Sequence, residues 1–146
     1  MFSKILVCSG GSAGALKAVQ AASKLAKSLN ASVTLLYVND PALSTLPYMG
    51  PPEAAFCVET SIAEADERQK ESVQPSQAAL ENAGISFTTR CEFGHPVDTI
   101  TRVADEEKSE LIVLGSRGLG GFERLMLGSV SDGVLHHAHC PVLVIR

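Results

Sequence analysis

Short apolar runs alternate along the chain with segments whose apolar residues recur at helical spacing. Lys4 to Cys8 is a compact apolar run closed by Ser9-Gly10-Gly11-Ser12, and Leu16, Val19, Ala22, Ala26 and Leu29 then mark one face of a helix. Val33 to Val38 predicts a second strand, ended by the turn residues Asn39-Asp40-Pro41. Glu59 to Ala83 predicts a helix with apolar positions at Ile62, Ala65, Val73 and Leu80, stopped by Gly84, with Pro75 expected to kink or split it. Ile85 to Phe93 is a third strand, and Gly94-His95-Pro96 opens a helix whose buried stripe is Val97, Ile100, Val103 and Ala104. Leu111 to Leu114 is a fourth strand. A last helix runs from about Ser129 to His137, with apolar positions at Val130, Val134, Leu135 and Ala138, and Pro141 introduces a closing strand, Val142 to Ile145.

Strands alternating with helices predict an α/β fold, a Rossmann-like three-layer domain with a five-stranded parallel sheet and helices on both faces. In such sheets ligands bind beyond the carboxyl ends of the strands, where the winding reverses. Both glycine-rich turns follow strands, the first and the fourth, so adjacency of those strands would bring the turns to one crevice. The stretch from Pro41 to Cys57 carries four prolines and little periodicity, long enough for a lid. At 146 residues and 45% hydrophobic content, residues 1–146 read as one domain; aromatic residues are sparse and Trp is absent, so the core is aliphatic.

Net charge is −4, with acidic and basic residues interspersed. No cluster of Lys and Arg offers a footprint for nucleic acid or an anionic membrane, and no apolar run has the length of a signal peptide or a membrane span. A cytoplasmic location is expected. Cys8, Cys57, Cys91 and Cys140 are scattered without a C-x-x-C pair. They read as reduced thiols, with Cys8, Cys91 and Cys140 expected as small buried hydrophobes in or near strands.

The chemistry concentrates after the fourth strand, where Gly115-Ser116-Arg117-Gly118 is followed nine residues later by Gly128-Ser129-Val130-Ser131. A loop that leaves a strand on glycine and enters a helix at Gly-Ser presents main-chain N–H groups to an anion, and the helix dipole favours negative charge there. Glycines 115 and 118 would let the main chain pass close beneath a ligand, Gly128 would admit a geometry closed to other residues, and Ser129 is the expected N-cap. Arg117 and Arg124 are the nearest cations. The same glycines also fit a connecting loop with Ser129 as a plain cap; the length of the segment favours function.

Gly115-x2-Gly118-x9-Gly128-Ser129 resembles the nucleotide-binding pattern of the universal stress protein family. Lys4-Ile5-Leu6-Val7 and His139-Cys140-Pro141-Val142-Leu143-Val144-Ile145 resemble the two ends of a member, so the similarity spans the chain. The resemblance implies strand order 3-2-1-4-5, a homodimer joined through Val142 to Ile145, and ATP or AMP as ligand, with or without Mg²⁺. By position it assigns the site to Cys8, Ser9, Gly10, Val38, Leu114, Gly115, Arg117, Gly118, Gly128, Ser129, Val130 and Ser131. Gly118 and residues 128–131 would hold phosphates and ribose, Gly115 would lie beside the ribose, and Val38 would touch adenine. One departure stands out: ATP-binding members carry Asp in a pattern like Val-x-Val-Asp-Gly-Ser, and here Gly10 takes that place.

Ser9-Gly10-Gly11-Ser12 is also similar to the start of the Ser-Gly-Gly-x-Asp-Ser loop of PP-loop ATP pyrophosphatases, but positions 13 and 14 are Ala and Gly, and the length leaves no room for their substrate domain. His136, His137, His139 and Cys140 look like a metal set, yet adjacent helical histidines point in different directions, and a solvated helix end accounts for them. His95, Pro96 and Asp98 are accounted for by helix entry. The expectation is a stress-linked regulator or nucleotide-dependent partner-binding module, not an efficient enzyme, with ATP hydrolysis slow at most. The competing class is a dimeric interaction protein of the same fold that binds no nucleotide.

Overall fold

The computed structural model describes residues 1–10, 12–40, 57–116 and 127–146. Among the described residues, five strands and four helices follow one another in the expected order: β1 (Lys4–Ser9), α1 (Ala13–Leu29), β2 (Ser32–Asn39), α2 (Cys57–Asn82), β3 (Phe87–Phe93), α3 (Pro96–Glu107), β4 (Leu111–Gly115), α4 (Ser129–His137) and β5 (Val142–Ile145). The sheet is wholly parallel with order β3-β2-β1-β4-β5. The order reverses between β1 and β4, so the chain winds outward to both sides of that pair.

Because successive side chains on a strand point to opposite faces, β1 divides its residues between two cores. Ile5 and Val7 join Val33, Leu35 and Val113 beneath α1 and α2, while Leu6 joins Leu36, Ile112 and Leu114 beneath α3 and α4. On α1 the buried residues are mostly small, Ala15, Ala18, Val19, Ala22 and Ala26, which lets its backbone lie close to the sheet. Ser12 caps that helix, its hydroxyl accepting from the Ala15 N–H, and Asn30 closes it in a left-handed conformation.

Some positions differ from the sequence reading. Pro75 does not split its helix, which runs unbroken from Cys57 to Asn82. Val73, Ser76 and Leu80 are buried around the proline, and packing on the sheet overrides a local cost of about 3 kcal/mol. Leu29 and Leu135, placed on buried stripes by periodicity, are exposed; Leu29 is the last residue of its helix and Leu135 lies near the end of its own, next to the buried Val134. Among the cysteines read as buried, Cys91 is exposed on the edge strand β3. The segment suggested as a lid lies outside the described residues, apart from Cys57, which starts α2.

The two sheet edges contrast. All four residues of β5 are apolar and half-buried. β3 is polar, and Arg90 reaches Glu92 at 2.7 Å, Glu106 at 2.6 Å and Glu107 at 3.2 Å. Arg102 joins Glu92 and Glu106 to the same network, at 2.9 and 2.6 Å. Hydrogen bonds from these guanidinium groups hold Glu92 and Glu106 below the ordinary carboxylate range. A carboxylate whose pKa is lower folded than unfolded stabilises the fold above its unfolded value and loses that contribution as pH falls through the folded one. The melting temperature is therefore expected to be flat near neutrality and to fall as solutions are acidified below about pH 4.5, and the fall should be smaller in the Glu92→Gln, Glu106→Gln double variant. Calorimetric scans at stepped pH read both.

Candidate functional site

The site follows from how the two central strands end. β1 and β4 pair only as far as Val7 opposite Val113. Beyond that point β1 stays with β2 through Ser9 opposite Tyr37, and β4 stays with β5 through Gly115 opposite Ile145. The two strands therefore part at their carboxyl ends, and the two glycine-rich turns leave from the two lips of the opening.

On the β4 side, Ser116 is held from both directions. Its N–H donates to the Ile145 carbonyl at 2.8 Å and its carbonyl accepts from the Gly128 N–H at 2.8 Å, which brings the strand end and the helix start together. Gly128, not Ser129, is the N-cap of α4, with φ −63° and ψ 154° and no side-chain cap. That conformation is open to any residue, so Gly128 is not required for its backbone geometry. Having no side chain, Gly128 places no capping group of its own over the helix end. Ser129, Val130 and Ser131 form the first turn, whose N–H groups have no acceptor four residues back in the helix. Ser131 is buried, and its hydroxyl donates to the Gly115 carbonyl at 2.9 Å, so it ties α4 to β4.

Gly115 has a structural use that the sequence reading did not include. A Cβ there would stand 2.8 Å from the carbonyl carbon and oxygen of Gly14 and 3.1 Å from the Ala15 nitrogen. The first turn of α1 is thus seated directly on the end of β4, and the absent side chain serves this helix–strand contact. Periodicity gave no sign of it, because it depends on β1 and β4 being neighbours.

On the β1 side, Gly10 is exposed, and among the described residues beyond its chain neighbours a Cβ built on it meets Ala15 Cβ first, at 4.0 Å. Cys8, Val38, Leu114 and Val130 all pack on the α3/α4 core, which gives the opening an apolar floor on that side. Burial pushes the Cys8 thiol up to about 12, so it is a neutral floor group and not a nucleophile. Ser9 points the other way, into the α1/α2 side, where its hydroxyl lies 2.9 Å from that of Ser76. Arg117, Gly118 and Arg124 lie outside the described residues.

The histidines have local partners. His136 and His137 turn their Nδ1 atoms to the carbonyls of Asp132 and Gly133 at 2.8 Å, and His139 faces Asp105 at 3.1 Å. His95 and Asp98 are both exposed, 3.7 Å apart. Among the described residues no group of three or more His, Cys, Asp or Glu is arranged to hold a metal ion, and no helix is long and apolar enough to cross a membrane.

Relatives with this fold are numerous. The chain is 37% identical over 150 residues to universal stress protein YxiE of Bacillus subtilis, with all of both chains covered. It is 33% identical over 147 residues to universal stress protein MJ0531 of Methanocaldococcus jannaschii, covering all of this chain and 83% of the relative. The solved structure of universal stress protein UspA from Lactobacillus plantarum superposes with a TM-score of 0.78 at 31% identity, covering 99% of this chain and 98% of that one. Two further structures share the fold at lower identity: a universal stress protein in complex with cAMP, at TM-score 0.71, 23% identity and coverage of 99% and 97%, and one from Archaeoglobus fulgidus in complex with dAMP, at 0.66, 20% and coverage of 100% and 98%. The profile of the universal stress protein family matches residues 1–146, and with the β1/β4 opening and its uncapped helix in place the chain belongs to that family.

Proposed function

We propose that this protein binds an adenine nucleotide in the opening between β1 and β4 and acts as a nucleotide-dependent regulator, not as an efficient enzyme. The observation that carries this reading is the uncapped start of α4, where first-turn N–H groups stand beside the end of β4. Such a helix end carries roughly half a positive charge and accepts phosphate oxygens without a cationic side chain. The apolar floor of Cys8, Val38, Leu114 and Val130 suits the face of a base, and relatives of this fold hold cAMP and dAMP. ATP and AMP are the ligands to test, each with and without Mg²⁺. Main-chain amides suit phosphate oxygens; a metal would call for a carboxylate, and Gly10 supplies none.

Titration calorimetry with AMP, ADP and ATP tests the reading directly. A second test separates binding from folding. Gly128→Asp places a carboxylate where it accepts the first-turn N–H groups itself, which stabilises α4 by a few tenths of a kcal/mol. The same carboxylate competes with and repels a phosphate, so nucleotide affinity is expected to fall at least about tenfold while the melting temperature holds or rises. Undiminished affinity in this variant would remove the phosphate from α4.

The assembly proposed for this function is a homodimer in the cytoplasm. Pro141 and Ile145 direct their carbonyls to β4, receiving the Ile112 and Ser116 N–H groups, so the alternating Val142 and Val144 turn their main-chain groups to the free edge. A second copy pairing there would cover four apolar residues. Sedimentation at micromolar concentration is expected to show a dimer, and Val144→Pro, which removes an outward N–H without touching the β4 pairing, a monomer. A wild-type monomer would refute this assembly. The competing reading, a dimeric interaction protein without nucleotide, predicts the same sedimentation and no calorimetric heat.

A further inference from the structure

The end of β1 is fastened to α2 by a buried chain of hydroxyl groups. Ser9 and Ser76 are both buried, and their Oγ atoms are 2.9 Å apart across 67 residues of sequence. The Ser9 hydroxyl also donates to the Ser72 carbonyl at 3.3 Å. With that donor spent, the Ser76 hydroxyl is the one that donates to Ser9, and each bond polarises the next. Around this chain the α1/α2 side of the sheet is apolar, with Val7, Val33, Leu35 and Val73 as neighbours in the same core. Hydroxyls placed in such surroundings are costly unless paired, so each strongly specifies its partner.

The location matters more than the energy. Ser9 is the last residue of β1 and immediately precedes Gly10, at the lip of the β1/β4 opening. Turning its side chain toward α2 commits the opposite side of the backbone, and the residue that follows, to the crevice. The turn is constrained a second time where Gly14 meets Gly115. Glycine at position 10 contributes no side-chain contact of its own to hold the turn, so its placement depends on these two anchors.

We infer that Ser76 of α2 is a positioning residue for the β1–α1 turn, acting through the Ser9 hydroxyl to present the main chain at Ser9 and Gly10 to the ligand. This rests on the nucleotide reading above and adds to it a residue that reaches no ligand. It also makes α2 mechanically continuous with the binding site.

The test is a double-mutant cycle of Ser9→Ala, Ser76→Ala and both together, read by AMP and ATP calorimetry and by amide hydrogen exchange at Gly10 and Ser12 in the ligand-free protein. Each single variant is expected to weaken affinity roughly three- to tenfold and to speed exchange at Gly10 by a similar factor, and the double variant to add little to either. Ser76→Thr, which keeps a hydroxyl, is expected to restore much of both. A merely structural hydroxyl pair would lower the melting temperature and leave affinity and local exchange at the wild-type values, and that result would overturn the inference. If wild-type protein binds no nucleotide, the function proposed above fails alone, and accelerated exchange at Gly10 in the Ser76→Ala variant still supports or refutes the positioning role.

Discussion

Gly10→Asp is expected to tighten adenine-nucleotide binding by roughly one to two orders of magnitude while leaving the fold undisturbed. Position 10 is where the ATP-binding pattern carries an acidic residue, and a hydrogen bond to a charged group is worth about 1.5–3 kcal/mol, or roughly ten- to 150-fold in affinity. The structure admits the change. Gly10 is exposed, its backbone is not in the left-handed region that favours glycine, and among the described residues beyond its chain neighbours the nearest atom to a built Cβ is Ala15 Cβ at 4.0 Å. A carboxylate two residues before the Ser12 cap also complements the positive end of α1, so no loss of stability is expected. Opposing this is its repulsion of a polyphosphate, which predicts a larger gain for AMP than for ATP in the absence of Mg²⁺. Calorimetry on both proteins with both nucleotides decides it. Equal affinities in wild type and variant would mean that position 10 does not face the ligand, and the placement of the nucleotide between β1 and β4 would have to be withdrawn.

What could be read from the sequence and what could not divide along a physical line. Strands, helices and the two glycine-rich turns are local signals, and periodicity placed them: α4 and β5 begin and end where the pattern of Val130, Val134 and Pro141 put them. The parallel sheet was likewise legible, because βαβ alternation leaves few alternatives. Long-range contacts were not. That Gly115 is small to admit Gly14, that Ser131 spends its hydroxyl on Gly115, and that Ser9 turns toward Ser76 all depend on which elements become neighbours. The backbone geometry expected of Gly128 failed for a related reason. Glycine in a sequence signals either a special backbone angle or a missing side chain, and the two are told apart by the folded backbone. Pro75 shows the converse, a strong local signal overridden by the burial of Val73 and Leu80 on either side of it.

Gly115→Val is expected to be the most damaging single substitution at the opening. The added Cβ would stand 2.8 Å from the Gly14 carbonyl carbon and oxygen, and both are main-chain atoms of a helix that cannot swing aside as a side chain can. Relief requires α1 to lift from the sheet, yet Ala18, Val19 and Ala22 of that helix are fully buried. Overpacking of this kind costs about 1–3 kcal/mol for an inserted group in a core, and immovable backbone places the cost at the upper end. For a chain of this size that corresponds to a fall in melting temperature of roughly 5–10 °C. Binding should suffer separately, because any shift of α1 drags the Gly10–Ser12 turn with it. Gly133→Ala is the informative comparison. Its Cβ would meet Val97 Cγ2 at 2.6 Å, a closer approach on paper, but to a valine side chain between two surface helices instead of to a carbonyl. A smaller loss of stability with nucleotide affinity retained is expected there. Should Gly115→Val instead melt at the wild-type temperature, the close seating of α1 on β4 would be wrong, and with it the geometry on which the opening is built.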